Sequence, residues 1–341
     1  MTATSAFRLN PWPDGEDWDK FVAGSPQGTV FCSSAFLDAL GCTVDRWIFG
    51  KPQGPSVAVA ILHNRGIPVP VSTLPAMYIG PMMAAGVDTL PAHRRHRLIP
   101  ELMEALLEAL SQSYPLLDLS FHPRFPDLRG VQWFNHHRPE QGRIALDLKY
   151  TARIDVKSAG AFPDYLRAIR QNRQQDHLKA LNCGYVVEAS TDVGILDRLH
   201  DLTFARQGID RPQAIRNLIR PITDAALHQG FGELLVTCSP SGEPVSASLF
   251  LFDRQDAYYL FGATDPVHRK DGVGTLTMLE GIRRSMVRGL TGFDMVGANS
   301  PQRGDFKTSF NAEIVPYFTG HWRAPSGSTP PSHDGGSGNA S

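Results

Sequence analysis

The chain has no surplus of charge of either sign: 33 lysines and arginines stand against 34 aspartates and glutamates over 341 residues, a formal net charge of -1. No global positive field draws it to DNA or to an anionic bilayer, so a polyanion must be met by a local patch. Cysteine is scarce. Cys32, Cys42, Cys183 and Cys238 are far apart and form no Cys-x-x-Cys pair, which leaves no disulfide framework and no common zinc spacing, and reduced thiols are expected. No run approaches the roughly 18 consecutive apolar residues of a membrane span, and the opening MTATSAFRLNPWPDGEDW has no basic region followed by an apolar one. The expectation is a cytoplasmic protein without integral membrane contact. Chemistry-bearing motifs are thin as well. His93, His96, His122, His136 and His137 make no His-Glu-x-x-His or similar ligand set, so no metal is implied, and no Gly-x-Ser-x-Gly nucleophile turn occurs.

What is present is 42% hydrophobic residues in a chain long enough for two ordinary domains. The expected division is 1–150, 151–323, and a Ser/Gly/Pro-rich tail, 324–341, with too little to bury and therefore disordered. In the first part, Ser33 and Ser34 are placed to cap a short helix, SVAVAILH is β-rich, and the prolines of GIPVPVSTLPAMYIGPMM suit an edge strand and loop. Leu98, Leu102, Leu106 and Leu110 recur every four residues and predict a helix, with Pro100 near its first turn or at a kink.

The second part predicts one basic helix over AFPDYLRAIRQNRQQDHLKALNCG, stopped by Gly184, then a strand and two helices over 191–207 and 212–229. GELLVTCS and VSASLFLFD flank a Pro-Ser-Gly-Glu-Pro turn and predict a hairpin, with AYYLFGAT as a third strand. A helix follows to about Arg288, then the strands GFDMVGA and EIVPYF. Pattern alone gives an α/β fold with mixed, mostly antiparallel sheets flanked by helices.

The blocks GEPVSASLFLF, AYYLFGATDP, LTMLEGIRRSMVRGLTGFDMVGA and DFKTSFNAEIVPYF resemble the second domain of the Fem-type and BioF-like acyltransferases. WDKFVAGSPQGTVFCSSAFLDAL and MYIGP resemble parts of their first domain, so the likeness runs from about Trp18 to Tyr317. The resemblance implies tandem GNAT-like domains, with the acceptor on the first and acyl transfer in the second. Fem-type proteins move an amino acid from aminoacyl-tRNA onto an amine of a cell-wall precursor, relatives use other small amines, and broader members use acyl-CoA. The implied co-substrate is therefore aminoacyl-tRNA or acyl-CoA, with no tightly bound cofactor. The long helical arm of some Fem-type members is not expected, since 191–229 is short and interrupted. A binding protein that kept the fold and lost the chemistry is the reading from another class.

Within HRKDGVGTLTMLEGI, Arg269, Gly272 and Gly274 have the spacing by which this superfamily offers backbone N–H groups to a pyrophosphate at a helix N-terminus. The same glycines also serve a plain strand-to-helix turn, and Asp271 would repel a phosphate. Lys307 in DFKTSF matches the family's Phe-Lys block, which implies charge stabilisation in the transition state, where an isolated lysine is otherwise a solvated surface group. Asp294 ends a predicted strand and either orients Lys307 or an acceptor amine, or caps a loop. Arg167, Arg170 and Arg173, three apart, form either a donor-phosphate surface or a solvated helix face. Tyr78, Tyr258 and Tyr259 are candidates for an acceptor wall, with one of the adjacent pair expected in the core. No general base stands out among Glu280, Asp265, Glu313 and His268.

Overall fold

The computed structural model describes residues 7–50, 54 and 56–325. From residue 326 the tail expected to be disordered lies outside the described residues, while Ala324 donates its N–H to Pro115 O at 2.9 Å.

The smaller sheet contains β1 (Arg8–Pro11), β2 (Thr43–Gly50), β3 (Ser56–Asn64) and β4 (Ile67–Pro68) in that order, with β5 (Met82–Met83) also on β3. The larger contains β6 (Leu116–Phe121), β7 (Ala145–Asp155), β8 (Val186–Ser190), β9 (Gly232–Cys238), β10 (Pro244–Phe252), β11 (Asp256–Thr264), β12 (Gly292–Asp294) and β13 (Glu313–Arg323). Its order is β6-β13-β7-β12-β11-β10-β9-β8, and only β11 and β12 run parallel. Thus β6 crosses from the first part of the chain to pair with β13 on an edge of the larger sheet.

Continuous apolar strands arise because both faces are covered. In β3, Ala58, Ala60 and Leu62 enter one core while Val57, Val59 and Ile61 enter another. The first of these cores joins Trp18, Phe31, Phe36 and Tyr78 to Leu196, Ile219, Tyr258 and Phe261, so the two parts of the chain share buried surface. The leucine repeat forms the helix Ala92–Ser113, with Leu102, Leu106 and Leu110 fully buried. Pro100 lies inside it, and His96 O, which an N–H at position 100 would have bonded, accepts from Arg129 Nη2 at 3.1 Å instead.

The single basic helix is corrected. The chain forms Phe162–Ala168 and Gln171–Asn182, separated by extended Ile169 and Arg170. Ile169 is 3% exposed and Arg170 N donates to Ser309 O at 3.0 Å, so burial of an isoleucine interrupts the helical pattern. Arg167, Arg170 and Arg173 therefore do not share one helical face. The next helices, Val193–Gln207 and Gln213–His228, agree closely with expectation, and GFDMVGA is extended only over Gly292–Asp294.

Candidate active site

The site begins where a parallel pair of strands separates. Asp256, Ala257 and Tyr258 of β11 pair with Gly292, Phe293 and Asp294 of β12. Beyond Asp294 the chain turns to β7, with Met295 N donating to Ala152 O and Ala298 N to Tyr150 O, both at 2.8 Å. The remaining residues of β11, from Tyr259 to Thr264, have no strand partner on that edge among the described residues. A bulge enhances the parting. Tyr259 pairs with Phe250 but Phe261 with Leu249, leaving Leu260 as the extra residue. Tyr258 and Phe261, three apart, consequently enter the same core, and Gly262 joins Tyr259 on the other face. A Cβ on Gly262 would collide with the Tyr259 hydroxyl, so glycine makes room for the ring. Burial pushes the Tyr259 phenol up to about 12.

Asp294 and Lys307 meet across one residue, Val296. Asp294, 1% exposed, accepts from Tyr78 OH at 2.8 Å, from Thr151 Oγ1, and from Val296 N at 2.8 Å. Lys307, 7% exposed in the helix Pro301–Thr308, donates through Nζ to Val296 O and, at 2.8 Å, to Gly297 O. Two left-handed residues aim these groups: Val296 at φ +41° and Tyr78 at φ +57°, a conformation that costs a non-glycine residue energy. Burial raises the Asp294 carboxyl, opposed by the hydrogen bonds from Thr151 and Tyr78. It lowers Lys307 to about 8, against the attraction of Asp294 and with help from Arg303. An ammonium here has one N–H beyond the two given to carbonyls, and a neutral amine has a lone pair in that place. Next to the turn, a groove of about 510 Å³ is lined by Tyr150, Asn299 and Pro301 among others.

The expected tyrosines divide sharply. Tyr258 is fully buried with its hydroxyl on Asp253 Oδ2 at 2.7 Å. Tyr78 is 1% exposed and stands behind Asp294, so its polar tip orients a carboxylate. Tyr259 alone keeps partial exposure at the parting strands. Thr151 and Val296 had no motif to announce them, although Val296 lies inside the GFDMVGA block. Of the four unranked base candidates, Glu280 is held by Arg283 and Arg284, and His268 Nδ1 lies 2.8 Å from Tyr185 OH.

The glycine-containing loop sits at a strand-to-helix connection, as read. Gly272, at φ +78°, caps the helix Val273–Val287. The helix Gln171–Asn182 lies against that cap: a Cβ on Gly272 would come within 2.3 Å of Asp176 O. In the first turn, Thr275 Oγ1 donates to Asp176 Oδ2 at 3.0 Å, and Arg173 reaches both, at 2.6 Å to Asp176 and 2.9 Å to Thr275. Arg173 also packs over Phe306 and Phe310 and bonds Ser309 Oγ at 2.9 Å. Asp271 is paired with Lys179 at 3.0 Å. Arg170 pairs with Asp305 at 2.7 Å, Arg167 with Asp164, and Arg269 is exposed.

Residues 165–308 match the sequence model of the acetyltransferase (GNAT) domain. No curated protein matches the chain. Among solved structures, FemX superposes with a TM-score of 0.64 at 13% identity, covering 88% of this chain and 94% of FemX. A conserved protein of unknown function from Bacteroides thetaiotaomicron gives 0.55 at 9% identity, covering 89% and 95%. The C-terminal domain of a putative lysylphosphatidylglycerol synthetase from Agrobacterium fabrum gives 0.50 at 11%, covering 89% of each chain. At such identities the likeness is one of fold. The parted parallel strands and the helix between them thus lie within the stretch, 165–308, that matches an acetyltransferase (GNAT) domain, and the chain as a whole shares its fold with FemX.

Proposed function

We propose that the protein transfers an aminoacyl group from aminoacyl-tRNA to the amine of a cell-wall precursor or a small natural product. The observation that carries the donor assignment is the occupied first turn of the helix Val273–Val287. Its N-terminal end, the natural seat for a pyrophosphate, is covered by the chain's own Asp176 and Arg173. A donor that does not need that seat fits better than coenzyme A. Residues 1–150 hold the acceptor and 151–323 the donor, with Arg167, Arg170 and Arg269 on the exposed side available to an RNA backbone.

In the reaction, the acceptor nitrogen attacks the ester carbonyl carbon, the C–N bond forms, and the bond between that acyl carbon and the ribose oxygen breaks with no covalent enzyme intermediate. The third N–H of the Lys307 ammonium stabilises the tetrahedral oxyanion. Asp294 fixes the Val296 turn that holds this lysine and keeps a negative charge near it. The amine proton leaves on the ribose oxygen, so a strong protein base is not required.

Acyl-CoA is the second reading, favoured by the match to an acetyltransferase domain. Labelled acetyl-CoA and tRNA charged with labelled amino acid, offered in parallel with an amine mixture, separate the two. Transfer from tRNA that ribonuclease abolishes and acetyl-CoA does not restore supports the proposal; transfer from acetyl-CoA alone overturns it. Ligand binding without product from either donor identifies a binding protein.

A further inference from the structure

A second cleft, lined by neither Asp294 nor Lys307, lies beside the smaller sheet. It encloses about 890 Å³ between the loop after β1, the middle of β2, and Tyr114 at the end of the long helix. Three of the chain's five tryptophans line it: Trp12, Trp18 and Trp47. Trp12 and Trp18 meet edge to face, with centroids 5.0 Å apart.

The polar part is built as firmly. Trp47 Nε1 donates to Tyr114 OH at 2.6 Å, and that hydroxyl donates to Asp45 Oδ2 at 2.5 Å. His63 Nε2 lies 3.1 Å from the other Asp45 oxygen. The chain of donors points towards the carboxylate. At the rim, the Asp14 and Glu16 carboxylates are exposed and have no hydrogen-bond or ion-pair partner among the described residues, while Trp12 Nε1 donates to the Glu16 main-chain carbonyl at 3.0 Å. The cleft's own arginine, Arg46, sits 5.7 Å over the Trp18 ring and is paired with Asp38 at 3.4 Å. A cation on an indole face with carboxylates beside it is therefore already present in the structure.

We propose that this cleft binds a small organic ammonium ion, its apolar body against Trp12 and Trp47 and its charge towards Asp45, Asp14 and Glu16. Indole faces attract cations, and a partly enclosed wall reduces the competition from water. The lining argues against phosphate or carboxylate ligands, because four of its side chains are acidic: Asp14, Glu16, Asp17 and Asp45. The proposal stands apart from the donor assignment.

The test uses 1,5-diaminopentane as probe and 1,5-pentanediol as its neutral counterpart, followed by calorimetry and tryptophan fluorescence on the full chain. Saturable binding of the diamine, and at least fivefold weaker binding of the diol, is expected. The double variant Asp14→Asn, Glu16→Gln changes only exposed rim groups and should weaken the diamine about fivefold or more. Trp12→Leu should weaken it further, with circular dichroism checking that the fold persists. Equal affinity for diamine and diol, diamine binding unchanged in the double variant, or no saturable binding overturns the proposal.

Discussion

Where β11 and β12 begin, Asp256 is 0% exposed and is held by Arg153 at 2.5 Å and Arg124 at 3.0 Å. Where they part, a buried lysine is held by two main-chain carbonyls on a left-handed turn. The first end is closed by an ion triad, and Gly292 permits it, since a Cβ there would meet Arg153 Nη2 at 2.4 Å and Asp256 Oδ1 at 2.6 Å. The second end leaves a charge imperfectly neutralised. One arrangement fixes the pair of strands, and the other keeps a titratable group ready at their opening.

Removing Asp256 breaks the closed end. Asp256→Ala leaves Arg153 half-buried without its hydrogen-bonded counter-charge and should destabilise the protein by about 3–5 kcal/mol in urea unfolding. The arginine from the first part of the chain, Arg124, keeps only its side-chain hydrogen bond to Gln255 at 2.6 Å, so cooperativity between the two parts should fall. A loss below about 1 kcal/mol would show that the triad is incidental to the fold.

At the open end the effect should appear in rate. Lys307→Ala should lower turnover at least about tenfold with an unchanged circular-dichroism spectrum, as expected for a lost charge-stabilising donor. The pH profile adds the sign. With Lys307 titrating near 8, an ammonium that stabilises the oxyanion gives a rate that falls as pH rises through about 8. A rate that rises through the same range would assign the lone pair as base. Arg303→Gln removes a nearby positive charge that lowers the lysine, so the midpoint should move upward.

The sequence carried the order of elements well and the parting of the strands poorly. Leu98 to Leu110 and the hairpin of β9 and β10 are local patterns, and both formed as read. Lys307 was picked out by a block resemblance and Asp294 by its place at the end of a predicted strand, and they converge on one peptide residue. Other contacts depend on tertiary geometry. Nothing local marks Ile169 as a core residue that splits a helix, or Thr151 as a donor 143 positions from its carboxylate. The glycines of the loop were legible as a turn, but the helix laid over Gly272 comes from a segment about a hundred residues earlier. Asp256 shows no motif, because its two arginines lie on β7 and in the segment after β6.

The smallest expected effect concerns strain. Among the five described non-glycine residues with positive φ, Tyr78 and Val296 both hold Asp294, and none belongs to the Asp256 triad. A left-handed β-branched residue costs on the order of 1–3 kcal/mol, which Val296→Gly should relieve. The same change loosens the unfolded chain by about 0.4–1 kcal/mol and removes a side chain packed at the edge of the shared core. Net stability should therefore change by less than about 1 kcal/mol. Turnover should nonetheless fall about threefold, since a freer turn no longer fixes the two carbonyls that aim Lys307. Differential scanning calorimetry and single-turnover rates on the same preparation decide it: a large stability gain with full activity would mean that the strain stored at the open end contributes nothing to the reaction.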